Sequence, residues 1–88
     1  MSEQEKQHQY CTSKFIELAN QLKDESIDPA LVSGALMTAS GIYATYVAAG
    51  NDGALEPGGV EKVTDLYRRT LEHYQVIKKN QLMKDKLS

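Results

Sequence analysis

With 88 residues, a net charge of -2 and 41% hydrophobic residues, the chain has room for one small domain. A charge this close to neutral argues against a polyanionic partner such as nucleic acid. The single cysteine excludes an internal disulfide and any multi-cysteine metal centre, which fits a reducing, cytoplasmic setting.

The first predicted helix covers 3–24. Ser2 and Glu5 have capping-box spacing, so the helix starts almost at the N-terminus. The opening residues are polar and mixed in charge, with no basic segment leading into an apolar run, so no signal peptide is expected. The apolar stripe is Cys11, Phe15, Leu18 and Leu22, widened by Ile16 and Ala19. On it, Cys11 reads as a buried small hydrophobe.

Asp28-Pro29 starts the second helix, over 29–49. Asp28 is a good N-cap, and proline suits the first helical position because its missing N–H has no intrahelical partner there. Ile27 and Val32 sit at the two positions of a hydrophobic staple, and Gly50 is placed to end the helix. A Gly-, Asn-, Asp- and Pro-rich loop then occupies 50–59. The third helix, over 58–80, follows the pattern Val60, Val63, Leu66, Tyr67, Thr70, Leu71, Tyr74 and Ile77, with Leu55 and Val60 repeating the staple spacing. No strand-like alternation appears. The expectation is an all-α, three-helix bundle forming one domain over 1–88, with 1–8 and 81–88 frayed.

Charge is unevenly spread. Residues 1–28 hold six acids and three bases, whereas 78–88 hold four lysines and one aspartate. The lysines suit the negative end of a helix dipole and read first as a solvated helix end.

The middle helix stands apart, because 29–50 contains no charged residue. Such a segment is either a membrane span or buried all round. Pro29, Ser33, Thr38, Ser40 and Thr45, a small-residue composition and weak flanking anchors argue against a span. A buried, uncharged central helix is therefore expected, with two faces on a helical wheel. The bulky one carries Leu31, Val32, Ala35, Leu36, Ala39, Ile42, Tyr43, Tyr46 and Val47, which two amphipathic helices can cover. The opposite stripe is Ala30, Gly34, Met37, Gly41, Ala44 and Ala48. Left in water, its two glycines would each cost about 1 kcal/mol relative to alanine with no return. A second backbone packing there gives them a reason, either from the same chain or, as favoured here, from the same helix of a two-fold-related copy.

Chemical candidates are few. His8 and His73 read as surface residues, and no His/Glu/Cys spacing suits a metal. The 50–59 loop follows a helix, lacks a lysine and carries Asp52 and Glu56, unlike a phosphate cradle. No cofactor and no catalytic constellation are expected. Tyr43, Tyr46, Tyr67 and Tyr74 are a set of phenols that would line a pocket for an apolar or aromatic ligand, or else simply pack in the core.

Residues 15–20, Phe-Ile-Glu-Leu-Ala-Asn, followed by Leu31-Val32-Ser33-Gly34-Ala35-Leu36-Met37-Thr38-Ala39-Ser40 and Tyr43, carry a resemblance. Over most of 10–75 the chain resembles a family of small uncharacterised bacterial all-helical proteins, a domain of unknown function. The resemblance implies a cytoplasmic helical protein and brings no activity or catalytic residues. The leading expectation is a non-enzymatic protein–protein interaction module, a homodimer through 29–49, with no nucleic-acid or membrane partner. The alternative is a small-ligand binder using the tyrosines.

Overall fold

The structure is a computed structural model and describes residues 1–87; Ser88, part of the C-terminal end expected to fray, lies outside them. Three helices follow one another: α1 (Glu3–Asp24), α2 (Pro29–Ala49) and α3 (Pro57–Leu87), with no strand among the described residues. The chain divides into two units, Met1–Tyr43 and Ala44–Ser88, with the division falling inside the continuous α2.

In the first unit, the Ser2 side chain accepts from the Glu5 N–H at 3.1 Å while the Ser2 N–H donates to Glu5 Oε1 at 3.3 Å. Two donors that the helix itself leaves unsatisfied are thus satisfied reciprocally. Helix α1 ends differently from the usual glycine stop. The Glu25 and Ser26 N–H groups fold back onto carbonyls of the last turn, and Ser26 takes a left-handed φ of 69°. A residue with a Cβ costs about 1–2 kcal/mol in that region. Helix α2 then opens as its sequence dictates: the Asp28 carboxylate accepts from the Ala30 N–H at 2.9 Å, and the Asp28 carbonyl accepts from Leu31 and Val32. Val32, at the staple position, is the one buried hydrophobic residue, 9% exposed, with Ala19 and Leu22 half-buried.

In the second unit, Gly50 takes φ 80° and donates its N–H to the Tyr46 carbonyl at 2.8 Å, so α2 stops where the glycine allows it. At Gly53 a Cβ would collide with the Ala49 carbonyl oxygen, so the turn needs glycine there as well. Leu55, half-buried, lies against the first turn of α3, 3.3 Å from where a Gly59 Cβ would stand. Helix α3 begins at Pro57, with the Glu56 carbonyl accepting from Gly59 and Val60. It continues to Leu87 instead of stopping near residue 80. The apolar period fades after Lys78, yet 79–87 holds lysine, leucine, methionine and glutamine with no glycine or proline, and nothing there breaks a helix.

Burial is where expectation and structure part. The central helix is uncharged, but it is not buried within one copy of the chain. On its bulky face Leu31 is 67% exposed and Val47 71% exposed, and Leu36, Ile42, Tyr43 and Tyr46 are exposed as well. On the other two helices the apolar stripes carry exposed residues as well: Phe15, Ile16 and Leu18 on α1, and Leu66, Tyr67, Leu71, Tyr74 and Ile77 on α3. Burial is confined to the neighbourhood of the two turns. Cys11, expected inside, is exposed for the same reason.

Candidate functional site

The feature with most potential to act on another molecule is the apolar surface of α2, and its local chemistry suits dry contact. Thr38, bordering the small-residue stripe, donates its hydroxyl to the Gly34 carbonyl at 3.0 Å. Thr70 on the α3 stripe does the same to Leu66 at 2.9 Å. A hydroxyl already satisfied by its own helix can be covered without a desolvation penalty, and its methyl remains to pack.

Along the stripe, Ala30, Gly34, Met37, Gly41 and Ala48 are exposed and Ala44 is half-buried. Met37, the only long side chain there, is 56% exposed. A Cβ built on Gly34 or Gly41 meets nothing within 4 Å. Space for a side chain is therefore open at both positions.

In the second unit Tyr46, Tyr67 and Tyr74 are each about half exposed. Two shallow hollows lie along single stretches of α3, at Leu82, Met83, Asp85 and Lys86 and at Val60, Glu61, Thr64, Asp65 and Arg68. Neither includes a tyrosine. His8 and His73 are exposed, and no group of three or more His, Cys, Asp or Glu side chains gathers as a metal would require among the described residues. The ion pairs are local and exposed, Lys14–Glu17 at 3.8 Å and Arg69–Asp65 at 3.2 Å, with the Lys14 ammonium 5.5 Å from the Tyr10 ring centre. Pairs of this kind steady a helix slightly and build no site.

A family model described as a protein of unknown function (DUF3144) matches residues 9–83. The chain belongs to the DUF3144 family. The match takes in α2 whole, most of α1 and all but the last turn of α3, so membership covers the whole three-helix arrangement. No curated protein and no solved structure matches the chain.

By length and composition α2 is long and apolar enough to cross a membrane: 21 residues, with a mean hydropathy of 1.3 over its best window. Of its residues Val32 is buried.

Proposed function

We propose that this DUF3144 protein is a non-enzymatic helical interaction module that self-associates through α2, with Ala30, Gly34, Met37, Gly41, Ala44 and Ala48 forming the closest contact between copies. One observation carries the reading: among the described residues a single hydrophobic one, Val32, is buried, although all three helices bear apolar stripes.

A second copy suits this surface better than a bilayer does. Lipid would cover α2 alone and leave the apolar stripes of α1 and α3 in water. Those two helices are charged on their other faces and do not enter lipid. The flanks of α2 carry Asp24, Glu25 and Asp28 before it and Asp52 and Glu56 after it, and no basic residue follows it before Lys62. Only further copies of the same chain bring complementary stripes for all three helices at once. The small stripe gives the assembly its closest approach, since side chains no larger than alanine let two helices touch backbone to backbone.

Sedimentation equilibrium of the full chain tests the reading: an oligomer is expected at micromolar concentration. A wild type that stays monomeric into the millimolar range refutes it, as does insertion into neutral vesicles with monomeric behaviour in detergent.

A further inference from the structure

The last turns of α3 carry an apolar face that the rest of the helix does not share. Val76, Met83 and Leu87, at i, i+7 and i+11, are all exposed. On a helical wheel they lie roughly opposite the stripe formed by Val60, Val63, Tyr67, Thr70, Tyr74 and Ile77. A partner that covers the body of α3 therefore leaves this face open. Length points the same way: α3 has 31 residues against 22 and 21 for α1 and α2, about 46 Å against about 32 Å. Lys79 and Lys86 border the face on one side and Lys84 on the other, and 78–87 carries four lysines against one aspartate. The chain holds the complement elsewhere. Its α1–α2 turn carries Asp24, Glu25 and Asp28 against Lys23 alone, beside the exposed apolar side chains of Ile27 and Leu31.

We propose that the lysine-bordered end of α3 docks the acidic α1–α2 turn of a second copy of this chain, Val76, Met83 and Leu87 meeting Ile27 and Leu31 while Lys79 and Lys86 face Asp24 and Glu25. The inference rests on self-association and adds its register: the contact is made twice in a two-fold pair, tail to turn and turn to tail. Complementary rims of this kind select partner and register more than they add affinity, and they act most strongly at low ionic strength.

Charge exchange tests it. Lys79→Glu with Lys86→Glu makes tail and turn both acidic; Asp24→Lys with Glu25→Lys makes both basic. Each double variant alone is expected to self-associate about tenfold more weakly than wild type at low ionic strength, with its helical circular dichroism unchanged. An equimolar mixture of the two is expected to return to within about threefold of wild type, because both contacts of the mixed pair are then attractive. If wild type self-associates and both variants do so as tightly, or the mixture gains nothing, the docking register is wrong while self-association stands. A monomeric wild type removes both. If anionic phosphatidylglycerol vesicles bind wild type but not the Lys79→Glu, Lys86→Glu variant, and self-association is equal in the two, the tail serves a lipid surface and the proposal falls.

Discussion

Replacing Gly34 and Gly41 by leucine separates a stripe that faces water from one that faces another helix, because the two situations give opposite signs. Both glycines lie inside α2, and the space where a side chain would grow is open for at least 4 Å in the single chain. If that space is solvent in solution, each substitution trades the poorest ordinary helix former for one of the best and gains about 0.8–1 kcal/mol. For both together the melting temperature then rises by roughly 8–16 °C, at about 4–8 °C per kcal/mol for a chain of this size. If the space is filled by the same helix of another copy, two leucines per chain prevent the backbones from approaching. Overpacking costs about 1–3 kcal/mol per site, and a two-fold contact counts each site twice. The dissociation constant then rises by at least about 700-fold, which is about 4 kcal/mol. The assay is sedimentation equilibrium across a concentration series, paired with thermal melts followed by circular dichroism. A variant that melts higher than wild type and sediments with unchanged mass refutes the stripe as an interface.

The remaining expectations concern the turns and the coupling of folding to assembly. Ser26→Gly relieves the left-handed φ at the end of α1 and is expected to stabilise the protein by about 1 kcal/mol in urea titration, since glycine occupies that region at no steric cost. Asp28→Ala removes the carboxylate that holds the Ala30 N–H and is expected to cost about 1 kcal/mol; Asp28→Asn, which keeps the acceptor, recovers most of it. Gly53→Ala drives a methyl into the Ala49 carbonyl and is expected to destabilise by about 1–3 kcal/mol, seen as a lower midpoint in the same titration. If folding requires a second copy, a hundredfold dilution is expected to lower the melting temperature by about 8 °C, for an unfolding enthalpy of about 0.7 kcal/mol per residue in a dimer. A concentration-independent melt separates folding from association.

What the sequence made legible is what depends on near neighbours. The Ser2–Glu5 box, the Asp28 cap with Pro29, and the Gly50 stop all appear as the local rules demand, because each is decided by groups within four residues along the chain. The bounds of α1 and α2 follow from them. The end of α3 was less legible, since a fading apolar period says where burial stops and not where the backbone stops being helical. The left-handed Ser26 gave no signal at all: neither glycine nor asparagine marks that position, and Glu25 reads as an ordinary helix residue.

The misplaced core has a different cause, and it bears on the candidate site. Periodicity reports which face of a helix avoids water, and it is silent on which chain supplies the cover. Leu31, Val47 and Phe15 lie on the dry faces their spacing assigns, yet all three are exposed in a single copy. The same is true of Cys11, whose place on the stripe implied burial inside one chain. Reading these positions as intramolecular core adds an assumption that the pattern never contained. The structure removes the assumption and keeps the pattern: three dry faces, satisfied threonine hydroxyls among them, and one covered residue beside a turn. On the self-association proposed above, the exposed dry faces are, by the same hydrophobic argument, contacts for another molecule. The small-residue stripe of α2 is the only one of the three whose composition also says how close that molecule must come.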